Sequence, residues 1–88
     1  MMYIIMVYDI NEKRVNKVLK KSRQFLNWVQ NSVLEGEITA AKFEKLKIEV
    51  KKIINEDEDS IIFYILRDTK YSSREIIGLE KGGEELFF

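Results

Sequence analysis

The sequence contains no cysteine, no histidine and no proline among its 88 residues. The lack of cysteine excludes a disulfide framework and a thiolate-bound metal ion. The lack of histidine excludes a Ser-His-Asp triad, histidine acid–base chemistry and any histidine-ligated zinc. Catalysis by this chain must therefore use carboxylates, lysine, tyrosine, serine or a hard metal ion.

Long hydrophobic runs and a net charge are also missing. The apolar run at residues 3–8 is far shorter than the roughly 20 residues that a membrane helix needs. The N-terminal segment lacks a basic leader and a small-residue cleavage site, so we expect no signal peptide and a cytoplasmic location. The 15 basic and 15 acidic residues balance, and 45% hydrophobic with 34% charged residues is typical of a globular domain.

The N-terminal half predicts a strand, a helix and two short strands. Residues 3–8 are rich in β-formers without alternation, which is typical of a strand buried on both faces. Residues 11–26 show helical spacing of apolar residues, with Asp9 or Asn11 as the N-cap. Residues 28–39 have room for two short strands, and the position of the turn between them is open.

The C-terminal half predicts a second helix and two more strands. Apolar residues at helical spacing indicate a helix over residues 40–55. The acidic run at residues 56–59 indicates a solvated loop. Strands are expected at residues 60–66 and 75–79, with a loop over residues 67–74 between them.

This order predicts an α+β fold of the ferredoxin-like β-α-β-β-α-β type, with an extra C-terminal strand or tail. We expect one domain over residues 1–80. The tail, residues 81–88, ends in Leu86-Phe87-Phe88 and is expected to pack on a sheet edge or on a dimer partner. Because two helices cover only one face of the sheet, a second copy is expected on the other face, which predicts a homodimer.

Three stretches of the chain resemble the CRISPR-associated Cas-two family, the small partner of the Cas-one integrase. They are Val7-Tyr8-Asp9-Ile10, the segment VQNSVLEGE at residues 29–37, and DSIIFY at residues 59–64. The resemblance covers nearly the whole chain. It implies a homodimer in which the strand-one aspartates of the two subunits face each other. It also implies magnesium-dependent cleavage of single-stranded RNA or double-stranded DNA, and a part in spacer acquisition with Cas-one.

Asp9 is the candidate catalytic and metal-binding residue. From the residues alone, the simpler interpretation is an N-cap of the first helix. The resemblance favours a Mg²⁺ ligand, and Mg²⁺ prefers carboxylate oxygens and keeps several of its waters. Tyr8 is a supporting candidate that borders the site, or else a strand aromatic that packs at the dimer.

The first predicted helix carries a strongly basic face. Its basic residues are interrupted by a single acid, Glu12, and an ordinary solvated face is the alternative to a phosphate-binding surface. The candidates for nucleic-acid backbone contact are Arg14, Lys17, Lys21 and Arg23.

The chain departs from the family pattern at two positions associated with nucleolytic members. Trp28 stands where relatives often carry arginine, and Leu34 stands where they often carry an aromatic residue. Trp28 has the chemistry to stack on a base, although a buried or interface aromatic is the favoured interpretation.

Two main hypotheses follow. The first is a Mg²⁺-dependent endonuclease acting on RNA or DNA as a homodimer. The alternative is a non-catalytic, DNA-binding adaptor that bridges Cas-one dimers through its sheet edges and tail. A small-molecule sensing module is a third interpretation, and it would need a ligand cleft that no glycine-rich loop provides.

Overall fold

The computed structural model describes residues 1–67 and 72–79. The elements follow in the order β1 (Met2–Asp9), α1 (Glu12–Ser22), β2 (Asn27–Gln30), β3 (Val33–Ile38), α2 (Ala40–Ile53), β4 (Ser60–Leu66) and β5 (Ser72–Gly78). The predicted tail, residues 81–88, lies outside the described residues, so its packing and the boundary after residue 80 stay predictions.

The strands form one sheet in the order β2-β3-β1-β4-β5, and every neighbouring pair is antiparallel. The first four strands have the ferredoxin-like arrangement, and β5 extends the sheet beyond β4. The predicted fold class is therefore confirmed, and β1 is its central strand.

The sequence predicts that β1 is buried on both faces, but the structure shows that only one face is fully buried. Met2, Ile4, Met6 and Tyr8 are buried beneath the helices, whereas Tyr3, Ile5 and Val7 on the opposite face are half-buried. Both helices pack on one face of an antiparallel sheet, and this leaves the other face without their cover. The continuous apolar run thus reflects a central strand that is apolar on both of its faces.

The first helix begins as predicted but ends earlier. Asn11, not Asp9, is the N-cap, because its side-chain oxygen accepts the N–H of Lys13 at 2.9 Å. The prediction that the helix continues to residue 26 is wrong. The N–H groups of Phe25 and Leu26 both bond to the Ser22 carbonyl at 2.9 Å, so the chain turns there and returns both side chains to the core.

The second helix begins at Ala40, where the hydroxyl of Thr39 accepts the N–H of Lys42 at 3.2 Å. It ends at Ile53 rather than at residue 55, because Ile54 has an extended backbone with φ −78° and ψ 164°.

Some bounds of the remaining strands differ from those that the sequence predicts. Asn31 and Ser32 form the turn between β2 and β3, a position that the sequence left open. The last strand spans Ser72–Gly78 rather than residues 75–79, because it pairs with β4 along its whole length. The predicted loop at residues 67–74 is accordingly shorter.

Gly78 ends β5 in a conformation that favours glycine. Its φ is +92°, and a Cβ atom there would overlap the Asp59 carbonyl oxygen. We expect Gly78→Ala to lower the free energy of unfolding by about 2–4 kcal/mol, from backbone strain and steric overlap together. Urea denaturation measures this effect. Gly36→Ala is the control, since a Cβ there meets Leu26 and Asn27 at ordinary contact distances, and an equal loss in both variants would contradict the prediction.

Candidate metal and nucleic-acid site

Asp9 lies at the C-terminal end of the central strand, and its side chain is exposed. It pairs in register with Ser60 of β4. By strand alternation it shares a face with Tyr3, Ile5 and Val7, which is the face that the helices leave uncovered. The structure therefore places the predicted metal ligand at the border of the uncovered side of the sheet.

That side, which we call the open face, is apolar at its centre. Val7 of β1 lies between Val33 of β3 and Ile62 of β4, and Ile62 in turn pairs with Ile76 of β5. All four side chains are only half-buried in the single chain. Asp9, two residues beyond Val7 on β1, thus stands beside a band of β-branched side chains that crosses four strands.

Tyr8 lies on the opposite face of β1 from Asp9. It is buried in the core, and burial raises the pKa of its hydroxyl. Its backbone N–H donates to the Ser32 carbonyl at 3.0 Å. The structure does not bring the Tyr8 and Asp9 side chains together, so Tyr8 supports this end of the sheet through packing and through its backbone contact with the β2–β3 turn.

A buried carboxylate, Asp59, lies directly before the β4 residue that faces Asp9. Its oxygens accept the backbone N–H groups of Asn11 and Asn55, each at 2.9 Å. They also accept Nε of Arg14 at 2.6 Å and Nη2 at 3.1 Å. We call Asp59 with these three donor residues the Asp59 clasp. It joins the start of α1 to the end of α2.

The clasp also fixes the last strand, because the Asp59 carbonyl accepts the N–H of Leu79 at 2.8 Å. Two helices and two strands thus converge at the end of the sheet that carries Asp9. The prediction of a solvated acidic run was wrong for Asp59, which is fully buried. A carboxylate is stable there because charged and backbone donors satisfy both of its oxygens.

The Arg14 guanidinium holds the pKa of the Asp59 carboxyl at about 2, below its ordinary 3.8. The N–H groups of Asn55 and Asn11 act in the same direction, and desolvation opposes them. The same contact raises the pKa of Arg14. Both groups therefore stay ionised throughout the neutral range.

We expect a pH dependence of stability from this contact. A carboxyl whose pKa is lowered by folding stabilises the native state fully above pH 3.8 and loses that contribution as the pH falls through 2. The difference in melting temperature between the wild type and Asp59→Asn should be constant from pH 7 to about pH 4.5 and should shrink toward pH 2. Thermal unfolding followed by circular dichroism measures it, and a difference that does not change with pH would contradict the assignment.

The predicted phosphate-binding residues do not act as one set. Arg14 bridges Asp59 and Glu58, and Lys21 lies 3.7 Å from a Glu49 oxygen. Lys17 and Arg23 are exposed, and neither forms an ion pair with a residue that the structure describes. Within the described part of the chain, two of the four predicted cations are therefore outside ion pairs and available to attract phosphate.

Metal-binding donors are sparse within one chain. Across residues 1–67 and 72–79, no group of three or more acidic side chains is arranged to hold a metal ion. Asp9 offers carboxylate oxygens, which are donors of the kind that Mg²⁺ prefers.

Trp28 is not buried within the chain, and the other half of the favoured interpretation, an aromatic residue at an interface, stays a prediction. Its side chain is 47% exposed on the edge strand β2, and the Arg23 guanidinium carbon lies 5.6 Å from the ring centroid. The aromatic ring and the cation thus form a surface pair between β2 and the end of α1.

The family profile described as CRISPR associated protein Cas2 matches residues 1–74. The chain belongs to this family. The Cas-two resemblance of its three sequence stretches is therefore confirmed.

Curated Cas2 relatives cover almost the full chain. The CRISPR-associated endoribonuclease Cas2 of Dictyoglomus turgidum is 66% identical over 84 residues, which is 96% of this chain and 97% of the relative. The protein of the same name from Thermotoga maritima is 55% identical over 87 residues, which is 99% of this chain and all of the relative.

Structural comparison supports the same assignment. A crystal structure of a Cas2 protein superposes with a TM-score of 0.73 and 40% identity, covering 94% of this chain and 93% of the other. The five-stranded sheet with two helices is thus a Cas2 fold. None of the helices in the part of the chain described here has the length and hydrophobicity needed to cross a membrane.

Proposed function

We propose that this Cas2 protein is a Mg²⁺-dependent endoribonuclease of CRISPR adaptation that acts as a homodimer, with Asp9 of each copy as a metal ligand. The observation that carries the proposal is the position of Asp9, exposed at the end of the central strand and on the open face. The curated relatives that match nearly the full chain are named endoribonucleases.

The open face supports the dimer. Its half-buried Val7, Val33, Ile62 and Ile76 form an apolar surface that a second copy can cover. A two-fold axis across this face would use the same surface on both chains, as symmetric dimers do. Because Asp9 borders the face, the same association brings a second Asp9 to the site.

The donor chemistry of Asp9 fits a hard divalent cation. Two carboxylates repel when they approach each other, and a cation between them removes that repulsion. Bound Mg²⁺ would supply electrostatic stabilisation to a phosphate that undergoes cleavage. Asp9 holds the cation in this proposal, and the Asp59 clasp keeps the end of β1 and the start of α1 in place.

The exposed cations of α1 supply the attraction for the nucleic-acid backbone. Lys17 and Arg23 are available for phosphate, and such contacts bind without reading sequence. Arg14 and Lys21 already contact acidic residues. They contribute to this surface mainly by holding α1 in place through these contacts, and less by contacting phosphate directly.

A non-catalytic adaptor is the second candidate. All four residues of the edge strand β2 are exposed, including Val29 at its centre. An edge strand offers unpaired backbone groups to another chain, which favours docking of a partner such as the Cas-one integrase. This function would need the dimer and its DNA-binding surface but no cleavage.

The test is cleavage by the wild type of labelled single-stranded RNA and of duplex DNA, with Mg²⁺ and with a chelator. We expect RNA cleavage only with Mg²⁺. Analytical ultracentrifugation of the same sample checks the dimer. A dimer that cuts neither substrate but still binds Cas-one would contradict the nuclease and support the adaptor.

A further inference from the structure

A groove follows the outer side of α1 toward its C-terminal end. It has a volume of about 520 Å³ and is lined by Asn16, Leu19, Lys20, Arg23 and Gln24. Residues three and four apart share one side of a helix, so Asn16, Leu19 and Lys20 form one stripe on α1. Arg23 and Gln24 continue this stripe past the end of the helix. The stripe combines an apolar side chain with two cations and two amides.

Arg23 connects this groove to Trp28. The guanidinium carbon lies 5.6 Å from the centroid of the indole ring, and 47% of Trp28 is exposed. An exposed position on an edge strand is unusual for an indole, the largest aromatic side chain, because aromatic residues stabilise a fold mainly by burial. The exposed ring offers a flat surface for stacking.

The two cations of the groove are not neutralised. Lys20 and Arg23 form no ion pair with any residue in the described ranges 1–67 and 72–79, whereas Arg14 and Lys21 of the same helix do. An aromatic ring beside unneutralised cations is the combination with which proteins bind unpaired nucleotides.

We infer that this groove binds an unpaired nucleotide of a single strand, with the base stacked on Trp28 and the phosphate near Lys20 and Arg23. The inference extends the nucleic-acid binding proposed above and rests on it only for the class of ligand. A base within a duplex has both faces stacked on its neighbours, so the ring selects single strands over double strands. RNA and DNA share this chemistry.

The groove is separate from the Asp9 site. In the sheet register, Trp28 pairs with Leu34 and Leu34 pairs with Met6, three residues before Asp9. Two strand spacings of about 4.8 Å and three residues of about 3.3 Å place Trp28 roughly 14 Å from Asp9 along the sheet. Variants of the groove and variants of Asp9 therefore test different sites.

The chain contains a single tryptophan, so the fluorescence of Trp28 reports stacking directly. The protein for this measurement is Asp9→Asn in the presence of a chelator, which prevents cleavage during titration. The probes are a short single-stranded RNA, the DNA of the same sequence, their duplex, and an abasic strand with the same number of phosphates. We expect either or both single strands to quench the fluorescence, and we expect the abasic strand to leave it nearly unchanged.

Substitutions test the ring and the cations with a labelled single strand and fluorescence anisotropy. Trp28→Ala should weaken binding about tenfold, as loss of one stacked base does, while Trp28→Phe should retain part of the affinity. Lys20→Gln with Arg23→Gln should weaken binding further, and Lys42→Gln with Lys45→Gln on the exposed side of α2 is the control for the loss of two positive charges. Circular dichroism confirms that each variant is folded.

Three outcomes would overturn the inference. They are quenching by the abasic strand as strong as by the single strands, unchanged affinity of folded Trp28→Ala, and equal quenching by the duplex. Quenching without any RNA cleavage by the wild type would support nucleotide binding in the groove and contradict only the proposed nuclease activity. Cleavage without quenching would contradict nucleotide binding in the groove and support the nuclease activity.

Discussion

Replacement of Asp59 with alanine is expected to lower the free energy of unfolding by about 3–5 kcal/mol, the cost of removing one partner from a buried charged contact. The variant would leave the backbone N–H groups of Asn11 and Asn55 without their carboxylate acceptor and Arg14 without its main counter-charge. A domain of this size has a total stability of only about 5–12 kcal/mol. Urea denaturation at pH 7 measures the loss.

Glu58 provides the matched control. It is the neighbouring carboxylate, it contacts the same Arg14 at 2.8 Å, and its side chain is 54% exposed. Glu58→Ala should change the free energy of unfolding little, since exposed ion pairs contribute little. Similar losses in the two variants would show that Asp59 acts only as one more surface charge.

Asp9→Asn is expected to reduce the rate of RNA cleavage at least about a hundredfold, because a metal ion at the phosphate contributes several kcal/mol to transition-state stabilisation. The melting temperature should stay within a few degrees of the wild type, since the side chain is exposed. Initial rates at saturating Mg²⁺ measure the first effect and circular dichroism measures the second.

Asp57→Asn is the control for this variant, because it removes the same charge from an exposed loop at the same end of the sheet without removing the proposed metal ligand. It should cleave at the rate of the wild type. Unchanged cleavage by Asp9→Asn would move the active site elsewhere, and equal losses in both variants would indicate a general effect of net charge.

The order of the elements was predictable because hydrophobic spacing alone separates strands from helices in this chain. The end of α1 was not. Phe25 and Leu26 continue the helical spacing, yet they pack on the core from a turn, because the chain must reverse to enter β2. Hydrophobic spacing indicates which side chains are buried, but it does not indicate whether the backbone that carries them is helical. A non-helical turn can bury the same residues as one more turn of α-helix.

The position of Asp9 was predictable because a carboxylate after a buried central strand must emerge at the sheet end. Asp59 was missed, although it is equally acidic and stands directly before a buried strand. Its burial depends on donors from Asn11, Arg14 and Asn55, which are up to 48 residues away in sequence. Local composition does not show such donors. The only signal in the sequence is the position of Asp59 directly before the buried strand that begins at Ser60.

The basic face shows the same limit. The sequence shows where cations lie, but it does not show which of them are neutralised. Arg14 and Lys21 turned out to face acidic partners, while Lys20 and Arg23 line a groove next to an exposed ring. Partners across the fold thus decide which charges can attract a nucleic acid.

We propose that one active site needs Asp9 from two copies of the chain. The most direct test of this requirement is the RNA cleavage rate of mixed dimers, prepared by refolding wild type and Asp9→Asn together in varied proportions at constant total concentration. If both carboxylates are required, the rate should fall with the square of the wild-type fraction. A rate that falls in direct proportion to that fraction would show that a single chain carries a complete site and would contradict the account.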